Sequence, residues 1–136
     1  MKLVIEQSDQ AYYCPSTDEI HVPKISQYTL LSEYYSTLFH EMTHSTGSST
    51  RLKRISDVAA FGSETYSKEE LVAEIGAATL VHHVSLETDS SFMNSAAYIK
   101  GWLNALRKDK KLIVSAAGKA DKAVQYILGM EGSDAP

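Results

Sequence analysis

Apolar residues recur along this chain with two different periods, and the change between them divides it into a strand-rich start and a helical remainder. Up to Pro23 the apolar positions come in short runs. Leu3-Val4-Ile5 is β-prone and is followed by the turn formers Ser8 and Asp9. Ala11-Tyr12-Tyr13-Cys14 and Glu19-Ile20-His21-Val22 flank Pro15-Ser16-Thr17-Asp18, where proline supplies a fixed φ and Asp a local acceptor. This predicts a hairpin ended by Pro23 and, with the first run, a small antiparallel sheet of about three strands.

Beyond Pro23 the period is helical. A helix starting near Ser26 or Ser32 and stopping at Gly47, a residue suited to a left-handed cap, carries two stripes at about 100° per residue. Leu31, Tyr35, Leu38, Met42 and Ser45 lie along one side, while His40, His44 and Thr37 lie nearly opposite with Glu41 flanking them. A merely solvated helix would set lysines and glutamates opposite its apolar stripe. Histidines in that place predict a core on one side and a cleft on the other. Residues 48–66 read as an irregular connection, holding Arg51-Leu52-Lys53-Arg54 and Phe61-Gly62-Ser63, of the length at which loops are usually functional or mobile.

Ser67-Lys68-Glu69-Glu70 reads as a capping box, with Ser67 as the cap and Glu70 at the third helical position. The helix it opens runs to His83 with a stripe of Leu71, Ile75, Ala78 and His82. Glu74 falls within about 60° of the centre of that stripe, Glu70 is occupied at the cap, and Glu69 points away. His82 is placed on the core face as a packed or supporting group, and His83 on the surface. Gly76, Ala77 and Ala78 allow another helix to come close. Thr88 to Ser91 form a turn before a helix whose stripe is Phe92, Ala96, Ile99, Leu103 and Leu106, with Tyr98 off the stripe, facing a cleft or solvent. Asp109 can cap a last helix with the stripe Ile113, Ala117, Ala120, Val124 and Ile127, closed by Gly129. The expected architecture is one α+β domain over residues 1–130, a small sheet on about four helices, with a flexible tail over 131–136.

Composition narrows the setting. The chain has 136 residues, 43% hydrophobic and 22% charged, enough for a core in an ordinary globular domain. No apolar run is long enough to span a membrane, and Lys2 and Glu6 interrupt the start too soon for a signal peptide. A net charge of −4 without a long basic run gives no support for direct nucleic-acid binding, and Arg51, Lys53 and Arg54 are read as a solvated or acid-pairing patch. The single cysteine, Cys14, excludes an intramolecular disulfide and fits a reducing, cytoplasmic setting.

The chemistry concentrates in His40-Glu41-Met42-Thr43-His44. On a helix the two histidines stand one turn apart on one face and can grip one zinc ion. A carboxylate aimed inward from Glu74 needs a cation, either a buried Arg or Lys or the metal itself. With His40, His44 and Glu74 as ligands, the fourth position of a tetrahedral site stays open to water, the catalytic arrangement. Glu41 cannot easily share the metal with its neighbour His40, but it can take a proton from the attacking water and return it to a leaving amine. Peptide hydrolysis needs this set. One more donor should face the oxyanion, and Tyr98, His82 and one of the pair Tyr34-Tyr35 remain the candidates. An extended peptide can add itself to a free sheet edge, for which the strand Glu19, Ile20, His21 and Val22 is the candidate, with His21 turned outward.

His40-Glu41-x-x-His44 followed by Glu74 on a second helix resembles the gluzincin branch of zinc metallopeptidases. The wider set, Tyr34 to Gly47, Arg51-Leu52, Tyr66 to Ile75 and Asn94 to Ile99, is similar to the zincin-like metallopeptidase domain of ArdC-type antirestriction proteins and of related polyvalent proteins from phages and conjugative elements. The resemblance covers about Ala11 to Leu128. It implies a zincin fold, one Zn2+ held by His40, His44 and Glu74, Glu41 as general base, and a peptide or protein substrate. It also implies a separate N-terminal domain that binds single-stranded DNA, for which this chain has no room.

Overall fold

In the computed structural model, which describes residues 1–55, 64–105 and 111–129, the hairpin forms where the turn residues put it. Strand β2 (Tyr12–Cys14) pairs antiparallel with β3 (Glu19–Pro23), Tyr13 opposite Ile20. Asp18 closes the turn at φ 53°, a left-handed conformation that Asp tolerates better than most residues. Its carboxylate accepts the Tyr13 hydroxyl at 2.8 Å, fixing the turn to the strand before it.

The first strand departs from the expected antiparallel sheet. β1 (Lys2–Glu6) crosses to the far side of β3 and pairs with it in parallel, Leu3 opposite Ile20, giving the order β1-β3-β2. The sheet is therefore mixed. The strand Glu19 to Val22, expected at an edge, is the central one, and its Ile20 and Val22 are fully buried. It cannot accept an extended peptide, because both of its main-chain edges are already paired.

A short 3-10 turn over Ile25–Gln27 leads to helix α1 (Leu31–Ser45). Tyr35, Leu38 and Met42 lie against Ile20, Val22 and Tyr34, so the predicted core stripe holds, except that Leu31 at its start is exposed. Thr46 ends the helix, and Gly47 is not left-handed. Gly47 matters for space instead: a Cβ there would meet Ile55 Cγ1 at 3.0 Å and the Arg54 guanidinium at 3.1 Å. The chain beyond it is folded back, with the Ile55 N–H on the Gly47 carbonyl at 2.8 Å and the Leu52 N–H on Thr46 at 2.7 Å. Arg51 donates to the Ser45 carbonyl at 2.8 Å and pairs with Asp18, clamping this segment to the hairpin.

Helix α2 (Glu64–His83) starts three residues before Ser67, so Ser67 is buried inside the first turns and the expected capping box is not the helix start. α2 is the central helix. One side packs Leu71 and Val72 on Ala116 and Ala120 of α4 (Lys111–Ile127), with Ile99 of α3 (Asp89–Ala105) beside them. Its other side meets α1 at Gly76, where an added Cβ would lie 2.7 Å from Thr43 Cγ2. Thr43, fully buried, sits between the two histidines in sequence, so this glycine sets how near α2 comes to the histidine face. Among the described residues no helix is long and apolar enough to cross a membrane. Phe61 to Ser63, Leu106, the cap expected at Asp109 and the tail 131–136 lie outside the described residues, as does the side chain of Leu103.

Candidate metal centre

The one-turn spacing of His40 and His44 brings their rings together, with the two Nε2 atoms 3.1 Å apart. Glu70, arriving from α2, puts Oε1 2.8 Å from His44 Nε2 and Oε2 3.2 Å from His40 Nε2. One atom from each of these three residues lies within 4.8 Å of the others, a spacing that can hold a metal ion. The outer nitrogens are occupied separately. His40 Nδ1 meets Glu74 Oε1 at 2.9 Å, and His44 Nδ1 meets Glu69 Oε2 at 2.8 Å. This is how metal-ligating histidines are held: a carboxylate on one nitrogen fixes the ring and leaves the other nitrogen's lone pair for the ion.

The donor set fits a cation on grounds of charge as well. Four carboxylates, Glu41, Glu69, Glu70 and Glu74, gather around two imidazoles and the single guanidinium of Arg54, all of them buried or half-buried. With neutral rings that is a net negative pocket, which a divalent ion would offset.

Without an ion the rings take up protons. Burial pushes His40 down, but Glu70 and Glu74 overcome it and hold it up at about 10. His44 is held at about 9 by Glu69 and Glu70 against its own burial. Burial would raise Glu70, yet His40 and His44 keep it well below the usual carboxylate range. Glu41 differs: burial raises it, against the pull of both imidazoles, which suits a group that must accept a proton. The raised histidines stabilise the metal-free fold fully below their ordinary value of 6.5, and that contribution is lost as pH climbs through about 9 to 10. A metal competes with protons for these ring nitrogens, so its affinity should rise with pH through the neutral range, with protons released on binding. Competition titrations at several pH values, paired with calorimetry in buffers of different ionisation enthalpy, check this.

A cavity of about 340 Å³ opens over the centre. His40, Glu41, Glu70 and Glu74 form one wall, and Asn94, Ser95 and Tyr98 of α3 form another. The free sheet edge nearest to it is β2, which packs on α1 and turns the Tyr13 backbone N–H toward Glu41, favouring its ionised form.

The model of one protein family, described as a zincin-like metallopeptidase, matches residues 1–119. The chain belongs to this family. Among solved structures, this zincin-like chain is similar to a plasmid-encoded antirestriction protein ArdC in its Mn(II)-bound form, at 41% identity and a TM-score of 0.77, over 94% of this chain and 47% of that one. The metal-free form of the same protein matches at a TM-score of 0.68. A DNA primase TraC of Escherichia coli is 41% identical over 92% of this chain and only 12% of its own length. A protein of Sinorhizobium fredii is 36% identical over 87% of this chain and 38% of its own. The chain thus spans less than half of each of these relatives.

The zincin-like fold brings His40, Glu41 and His44 together as their spacing predicts, and it sets both Glu70 and Glu74 of α2 against the histidines. Glu70 reaches the inner nitrogens, whereas Glu74, predicted as the third ligand, contacts the outer nitrogen of His40. Both lie on one face of α2, one turn apart along its axis. Glu69, expected to point away, lies on His44. Tyr98 is 62% exposed at the cavity rim, while Tyr34 is buried in the core against the sheet. His82, expected on the core face, is exposed and faces Glu87 at 3.5 Å. Tyr66 was not among the expected residues. One turn before Glu70, it hydrogen-bonds that carboxylate and is raised by burial and by Glu70 and Glu41. Its helical spacing to Glu70 was the available signal, hidden by placing the helix start at Ser67.

Proposed function

We propose that this zincin-like domain is a metal-dependent peptidase in which His40, His44 and Glu70 hold one divalent ion and Glu41 is the general base. The observation that carries this reading is the pairing of an inward His-His-Glu set with a separate buried carboxylate, Glu41, raised by its burial and facing the same cavity. A docking role has no use for that fourth carboxylate. Two imidazoles and a carboxylate suit zinc, and the Mn(II) in the solved relative marks manganese as the competitor.

When bound, the ion supplies Lewis acidity, acidifying a water and polarising a peptide carbonyl. Glu41 takes the proton of the attacking water and delivers it to the leaving amine nitrogen, breaking the C–N bond as the acid C–O bond is completed. Glu74 and Glu69 keep the two rings aimed inward. The free edge of β2, beside Glu41, is the place for an extended peptide to pair, with Tyr98 at the rim of the cavity meeting its side chains. Tyr66, hydrogen-bonded to Glu70 and near enough to Glu41 to feel its charge, is the phenol we assign to donate to the developing oxyanion. Tyr66→Phe should lower kcat about 10²-fold while the metal content stays unchanged. An unaltered kcat would move that role to another group.

The substrate is a protein or peptide, and the domain works inside a bacterial cell as part of a longer mobile-element protein, joined to a segment that binds single-stranded DNA. Arg51 and Arg54 are both engaged with carboxylates, which leaves them poor candidates for phosphate contacts by this domain itself. A second reading is favoured by the relatives, whose names refer to antirestriction and priming and not to proteolysis. In it the same centre holds a metal and the domain serves as a binding module. Metal-loaded protein that leaves a broad peptide mixture uncut supports that second reading over the first.

A further inference from the structure

Arg54 is one of the least exposed charged side chains near the centre, at 8%, and no general rule of the zincin site requires it. Its guanidinium makes four contacts at once. Nε donates to Glu69 Oε1 at 2.9 Å and Nη2 to Glu69 Oε2 at 3.3 Å, Nη1 to Thr46 Oγ1 at 2.9 Å, and Nη2 to the Thr43 carbonyl at 2.7 Å. The fork therefore binds α2 through Glu69 and the last turn of α1 through Thr43 and Thr46. Glu69 Oε2 in turn lies 2.8 Å from His44 Nδ1. Planar guanidinium and carboxylate groups meeting in this bidentate way fix orientation as well as charge.

We propose that Arg54 is a positioning residue for the metal centre. By anchoring Glu69 it holds the carboxylate against His44 Nδ1, and so keeps His44 Nε2 turned toward the ion. This rests on His40, His44 and Glu70 being the ligands. Glu69 without Arg54 would be a half-buried carboxylate free to swing toward the ion or toward water, and His44 would lose the partner that fixes its ring. Lysine cannot replace the fork, because a single ammonium cannot span both Glu69 oxygens and the Thr43 carbonyl.

The test compares wild type, Arg54→Met, Arg54→Lys, Glu69→Gln and the double variant Arg54→Met/Glu69→Gln by competition titration with Zn2+ and Mn2+. Melting of the metal-free forms is measured in parallel. Arg54→Met and Glu69→Gln should each weaken metal binding about 10- to 100-fold, and Arg54→Lys should recover only part of the loss. Because both residues act through one carboxylate, the double variant should lose little more than the worse single one. The absorption spectrum of the Co2+-loaded variants should change as His44 reorients, which a loss of fold stability alone would not produce. Wild-type affinity in Arg54→Met, whatever its melting temperature, overturns the proposal, and so do additive losses in the double variant. Wild-type protein that takes up no metal sinks the proposal together with the reading beneath it.

Discussion

Glu41→Gln is expected to keep the metal and lose at least about 10³-fold in kcat/KM for peptide cleavage, within the range that removing a positioned general base produces. The metal should stay because the carboxylates paired with the two imidazoles are Glu69, Glu70 and Glu74, whereas Glu41 lines the cavity and accepts from the Tyr13 backbone. The amide fits the space of the carboxylate and cannot accept the proton. It also removes one negative charge from a site with an excess of them, so metal affinity should fall only slightly. Metal content by mass spectrometry and cleavage kinetics on the same sample separate the two effects. Equal loss of both would mean that Glu41 is structural.

The second large effect distinguishes the two α2 carboxylates. Glu70→Ala should abolish metal uptake at micromolar concentrations, because a ligand within 3.2 Å of both Nε2 atoms is removed. Glu74→Ala should still take up metal but bind it about 10- to 100-fold more weakly, the loss typical of a residue that orients a histidine. Calorimetric titration of both variants decides the assignment. The reverse order, with Glu74→Ala the more damaging, would restore Glu74 as the ligand.

Much of the centre was legible in the sequence because a helix converts spacing directly into geometry. His40, Glu41 and His44 needed only the period of 3.6 to be placed, and the same period put Tyr35, Leu38 and Met42 on the core. Glu70 was missed for a local reason. Ser67 and Glu70 have the form of a capping box, which assigned Glu70 to a helix end, whereas the chain is already helical at Glu64. Once Glu70 is inside the helix, it and Glu74 share one face by periodicity, and which histidine nitrogen each one meets depends on how α2 docks on α1. The parallel placement of β1 and the carboxylate-bound Arg54 were illegible because both depend on long-range docking. A turn can declare that β2 and β3 are adjacent, but nothing local declares on which side of β3 the first strand will lie. Arg51 and Arg54 look alike in sequence, yet one clamps the hairpin through Asp18 and the other the metal centre through Glu69.

The central claim is hydrolysis at a metal held by His40, His44 and Glu70. It is tested most directly by incubating a random-sequence peptide mixture with the protein after chelation, after reloading with Zn2+, and after reloading with Mn2+, and counting new amino termini by mass spectrometry. Termini that vanish on chelation, return on reloading and stay absent in reloaded Glu41→Gln are the predicted result. A protein that binds one equivalent of metal and releases no new termini under any of these conditions would contradict the account.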